Sequence, residues 1–188
     1  MLAAQAEELG YSHHEERAWG GIFRREVMHG ALFLKYRLQH FQGRWHADVQ
    51  GCMRFLVFQS GEERILSFCS TPHRLENTQA RRWRFPSEAR DPELRWIAKE
   101  IRGSYTRTLL PFLKQVSTPI SLLTFMTNEY QPYKLASADL LTPFRSAALV
   151  LGTLLRPEEA APALAQLNAA ELVFSARWEA YFGPLDPS

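Results

Sequence analysis

Apolar and polar positions alternate every second residue through much of the first half of the chain and recur every three to four residues through much of the second. A period of two marks a strand with one covered face, and a period near 3.6 marks an amphipathic helix. From Ala31 to Phe41, Leu32, Leu34, Tyr36 and Leu38 share one face while Lys35, Arg37 and Gln39 share the other, which predicts a strand. Val27, Ala31, Leu34 and Leu38 also fall at helical spacing. The strand is preferred because Gln42-Gly43 supplies a turn before a second alternating run, Arg44 to Gln50. Cys52 to Gln59 and Arg64 to Phe68 predict a further hairpin across Ser-Gly-Glu-Glu, and Ala18 to Val27 a strand weakened by two glycines. Tyr11 to Arg17 reads as a polar segment, and Arg82 to Phe85 as an edge segment. Together these predict an antiparallel meander of about four to five strands.

The helical signals begin with a short stripe, Leu2 to Leu9, stopped by Gly10. Asp91-Pro92 then gives a cap and a proline at the first helical position, followed by the stripe Leu94, Ile97, Ala98, Ile101, Tyr105 and Leu109. Pro111 lacks the N–H that would bond to the carbonyl of Arg107, so a kink or an end is expected there. Thr118-Pro119 and Thr142-Pro143 repeat the start signal, for helices to about Asn128 and about Leu155. Arg156-Pro157-Glu158-Glu159 opens another, and Asn168 with Glu171 reads as a capping box for a last one carrying Phe174, Trp178, Tyr181 and Phe182. A strand-rich part (11–86) followed by a helix-rich part (91–183) predicts one α+β domain over 1–188, its helices packed on one face of the sheet.

Composition agrees with a packed globular chain: 46% hydrophobic, 12% aromatic and 22% charged residues in 188. A formal charge of +2 gives no field that by itself argues for nucleic acid or membrane binding. The opening residues carry acids where an export signal needs a basic flank, and the apolar run Ala147 to Leu155 is far short of the ~20 residues that cross a bilayer. A cytoplasmic protein is expected. Cys52 and Cys69 lack metal or redox spacing and are expected to be reduced core thiols, although a two-residue turn at Ser60-Gly61 would set them opposite each other.

No phosphate loop, dinucleotide fingerprint, nucleophile elbow or His-Glu-x-x-His motif occurs. Neither cofactor nor metal is therefore expected. One enzymatic alternative survives: a metal-dependent hydrolase or nuclease in which His46, Asp48 and Glu62 hold a divalent ion that activates water. The densest cationic cluster is Arg81-Arg82-Trp83-Arg84-Phe85, with Arg74 upstream. Arg74, Arg81, Arg82, Trp83 and Arg84 read as a partner-binding patch, since Trp and Arg are the usual interface anchors. The same Arg81 to Phe85 cluster could hold nucleic acid through phosphate contacts and stacking, or form an edge strand with alternate Arg in solvent.

Leu9-Gly10-Tyr11 closing a leading helix, Ile22-Phe23-Arg24-Arg25, Phe55-Leu56-Val57-Phe58-Gln59 and Leu110-Pro111-Phe112-Leu113 occur in an order that resembles small bacterial α+β proteins of unassigned function. Some of those resemble immunity proteins paired with interbacterial toxins. That resemblance implies a protein partner, a toxin or effector domain, neutralised by occlusion of its active site, with no fixed functional residues to carry over.

Overall fold

A computed structural model describes residues 6–7, 10–17, 20–76, 83–88, 90–129, 134–137, 139 and 141–182, without the side chains of 13–17, 128–129 and 181–182. The predicted helix Leu2 to Leu9 lies almost wholly outside the described residues, only Ala6 and Glu7 being assigned to helix.

An antiparallel sheet dominates the first half. Strands β1 (Ser12–Arg17), β2 (Gly20–Val27), β3 (Gly30–Phe41), β4 (Arg44–Gln59) and β5 (Glu62–Ser70) are hydrogen-bonded in sequence order, and β6 (Trp83–Pro86) pairs with the start of β4. The fold is α+β. Two hairpins are closed by two-residue turns, Gln42-Gly43 and Ser60-Gly61, whose residues all have positive φ of 52°, 70°, 54° and 83°. That geometry matches the right-handed twist of the flanking strands, and Gly supplies it without strain.

Three expectations need correction here. The polar segment Tyr11 to Arg17 contains a strand, β1, which among the described residues is an edge of the sheet, a position where hydrophilic residues are favoured. Arg44 to Gln50 and Cys52 to Gln59 are one continuous strand. Gly51 does not interrupt it; a Cβ there would come within 3.3 Å of Leu109 and 3.4 Å of Leu113, so glycine lets two helical leucines settle onto the sheet. Cys52 and Cys69 are not free thiols. The Ser60-Gly61 register places them as direct cross-strand partners, Cα atoms 4.0 Å apart, and they are joined as a disulfide. The bridge removes the argument the cysteines made for a reducing compartment.

Helices α1 (Pro72–Leu75), α2 (Asp91–Ser104), α3 (Leu110–Gln115), α4 (Pro119–Thr124), α5 (Thr142–Leu154) and α6 (Pro157–Phe182) form the second layer. Pro111 does not end the helical run: Tyr105–Leu109 widens into a π-helical turn and hands the chain on to α3. A second π segment, Phe125–Glu129, continues α4. Thr118 caps α4 as expected, its hydroxyl accepting from the Ser121 N–H at 3.1 Å. The α5 start differs: Asp139, not Thr142, supplies the capping acceptor, taking bonds from the N–H groups of Leu141 and Thr142. Those bonds, that of the Thr142 hydroxyl foremost, hold its carboxyl below the usual range. Asn168 begins no new helix; α6 runs through it without a break. At the start of α2 the cap falls on Arg90 rather than Asp91, with Glu93 accepting from the Arg90 N–H.

The main core lies between sheet and helices. Ala47, Val49, Met53, Phe55 and Val57 of β4 meet Leu109, Phe112, Leu113, Leu122, Phe144, Ala147 and Leu151, all buried. Tyr11 and Tyr105 meet edge to face in this core, and burial pushes both phenols above their ordinary value, Tyr105 far above it. Neither can serve as a base near neutral pH. Among the described residues, no single helix is long and apolar enough to cross a membrane.

Candidate binding surface

Side chains alternate across β4, so each residue packed on the helices is followed by one on the opposite face of the sheet. That face carries no second layer among the described residues. Its centre is a row read directly from the register: Arg24 opposite Phe33, Phe33 opposite Cys52, Cys52 opposite Cys69. Phe33 and Cys52 are buried with Ala31 in a small apolar cluster, with Ile22 and Cys69 packed against them. The cover comes from cations: the Arg54 guanidinium lies 4.5 Å from the Phe33 ring centroid and that of Arg24 lies 5.9 Å away. Arg24 is also ion-paired to Glu26. Arg side chains thus roof an apolar strip that a second sheet or helix would otherwise cover.

Beside this strip the face is open. Leu56 and Ile65 are directly paired across β4 and β5 and are 39% and 59% exposed, and Phe58 next to them is 62% exposed. Phe41, also on this face, is exposed at the far end of β3. An aliphatic and aromatic patch of this kind on a sheet face commonly marks an interaction site. Charge gathers around it unevenly. By register the face holds Arg24, Lys35, Arg37, Arg44, Arg54 and Arg84 against Glu26, Asp48 and Glu63. Over β2 to β6 six cations face three carboxylates, an excess larger than the +2 of the entire chain.

Of the five residues singled out in the sequence, Arg74, Trp83 and Arg84 are described, and Trp83 and Arg84 fall on opposite faces of the sheet. Arg81 and Arg82 lie outside the described residues. Trp83 and Phe85 point to the helix side of the sheet, where they pair with Ala47 and Trp45, and pack against the main core. Arg84 lies between them on the opposite face, beside His46. This is the alternating pattern of an edge strand. Arg74 donates to the Leu135 carbonyl at 2.9 Å and so helps to hold the 134–137 segment, which also lends the Ala136 N–H to the Cys69 carbonyl.

His46 and Asp48 do share the open face, but Glu62 pairs with Gln59 at the other end of β4, eleven residues past Asp48 and so about 36 Å away along the strand. One metal ion cannot bridge that span. Among the described residues no group of three or more His, Cys, Asp or Glu side chains is placed to hold a metal. The sequence reading missed the open-face cluster itself. Its signal was present in the odd-numbered residues of β3 and the even-numbered ones of β4, where Phe33, Leu56 and Phe58 stand among Arg and Lys on the side that should be wholly polar. No family model, curated protein or solved structure matches this chain.

Proposed function

We propose that the chain is a protein-binding module that docks an acidic, partly apolar protein surface on the open face of its sheet. The carrying observation is the coincidence of the exposed Leu56, Phe58 and Ile65 patch with the excess of cations on the same face. Apolar anchors ringed by charge are how interfaces combine affinity with choice of partner. The cation excess disfavours stacking two copies face to face, so the partner is a different protein. Read with the resemblance to immunity-type proteins, the partner is a bacterial toxin or effector domain, and docking blocks its active site.

Nucleic acid is the second reading, favoured by the same cations. Phe41 and Phe58 could stack on bases, but they stand at opposite ends of the face, and the aliphatic Leu56 and Ile65 beside Phe58 add apolar area that favours a protein surface. The two readings separate by measurement. A tagged chain purified at low salt from its native cells should bring down one acidic protein in equal amount, and a Phe58→Ser/Ile65→Ser double variant should lose it. Recovery of no stoichiometric protein, or its retention by the double variant, rules out the proposed site. Binding to single-stranded nucleic acid that weakens steeply with salt would support the second reading instead.

A further inference from the structure

On the side of the molecule away from the sheet, α6 and the α4 segment with its π extension leave a groove of about 650 Å³ between them. Its floor is apolar. Leu123, Met126 and Phe144 are buried there, and the Phe174 ring stacks on Phe144 with centroids 5.7 Å apart. Val173, on the wall formed by α6, is 54% exposed, a large aliphatic side chain in water beside an apolar trough. The volume lies within the range of small-molecule sites.

Among the described residues that line this groove, four carry polar side chains, Thr124, Thr127, Gln166 and Arg177, and the two threonines are already occupied. Thr124 and Thr127 turn their hydroxyls back to the carbonyls of Ile120 and Leu123, so the rim they form offers methyl groups rather than donors. Among the described residues Arg177 is the sole charged one lining the groove, and it makes no ion pair there. It stands at one end of the α6 wall. Gln166 marks the other, eleven residues and therefore about 16 Å away along the helix.

An apolar trough with one cation at one end matches a molecule with one apolar chain and one anionic head. We propose that this groove binds a single-chain carboxylate amphiphile, a medium-chain fatty acid, with its chain along the Leu123, Met126 and Phe144 floor and its carboxylate on Arg177. A chain of about a dozen carbons has the extended length of the trough. An amphipathic protein helix fits less well, since its polar flank needs several partners along the rim and the described rim residues supply one charge. This site is separate from the sheet face and does not depend on the reading of that face.

Sodium dodecanoate, kept below its critical micelle concentration, is titrated into the purified full chain while tryptophan emission and melting temperature are followed; Trp178 packs on Phe174 at the groove and reports occupancy. Saturable one-to-one binding is expected, about fourfold tighter for each methylene added from octanoate upward. Arg177→Gln should weaken dodecanoate about tenfold while leaving the neutral analogue dodecan-1-ol unchanged. Val173→Trp should fill the trough and abolish both, and because Arg177 and Val173 are exposed both variants should keep the parent's circular dichroism. Absence of saturable binding overturns the proposal. So does an Arg177→Gln variant that weakens acid and alcohol alike or neither, and so does an amphipathic helical peptide binding the groove where dodecanoate does not.

Discussion

The two faces of one sheet follow opposite rules. On the helix side, Met53, Phe55 and Val57 are fully buried among aromatic and aliphatic side chains. On the other side, their immediate neighbours Arg54, Leu56 and Phe58 are left to a roof of guanidinium groups or to water. The same backbone ladder holds both sets, so the difference lies only in what each face meets. On the proposed reading, stability and recognition are separable here: the odd-numbered β4 positions build the main core, and the even-numbered ones beyond Cys52 offer the proposed docking face.

The sharpest way to break this division is to truncate neighbours. Phe55, whose ring packs edge to face on Phe68 at 5.9 Å, should cost about 3 to 5 kcal/mol of unfolding free energy when replaced by Ala. Phe58→Ala, three residues on and on the open face, should cost no more than about 0.5 kcal/mol. Chemical denaturation of both variants checks this; comparable losses would mean that the open face is covered by something in the folded chain.

Next in size is the disulfide, the one covalent element on the open side. Cys52→Ala/Cys69→Ala opens a loop with a sequence separation of 17 and should lower stability by about 3 kcal/mol. A dithiol reductant should lower the wild-type denaturation midpoint and leave the double variant's unchanged.

Smaller still is the guanidinium roof. Arg54→Met keeps the aliphatic stem and loses the cation above Phe33, at an expected cost of about 1 kcal/mol, and should shift the Phe33 ring resonances in a proton NMR spectrum.

The least effect belongs to the cap of α5. Asp139 has its carboxyl lowered chiefly by the Thr142 hydroxyl bond. A lowered folded-state value means that its contribution is present above the ordinary carboxylate range and is lost as pH falls through the lowered one. Asp139 is exposed, so screening keeps the sum small: Asp139→Asn should cost about 0.5 kcal/mol at pH 7 and progressively less as the solution is acidified, measured by thermal unfolding across the acid range.

Much of the fold was legible before the structure, because local rules fix it. The two glycine turns set the hairpin registers, and Thr118-Pro119 set a helix start, all through backbone geometry that a few neighbouring residues determine. What was missed depended on distant partners. Gly51 reads as a break until Leu109 and Leu113 are seen against it. Pro111 reads as a stop until the preceding turn widens. Asn168 and Glu171 resemble a cap, yet they sit inside α6, where packing of Leu167 and Phe174 on the body outweighs the local signal. The candidate surface was half legible. Arg81 to Phe85 drew attention by density along the chain, but alternation splits Trp83 and Arg84 between opposite faces. The open-face patch is scattered over β3, β4 and β5 and forms only when the strands pair.

Ile65→Glu puts a charge into the middle of the exposed patch without touching the buried core, and calorimetric titration against the protein recovered with the wild-type chain then reads the docking face alone. Affinity should fall about a hundredfold or more, with the melting temperature within about 2 °C of the parent's. Undiminished affinity would contradict the assignment of recognition to this side of the sheet.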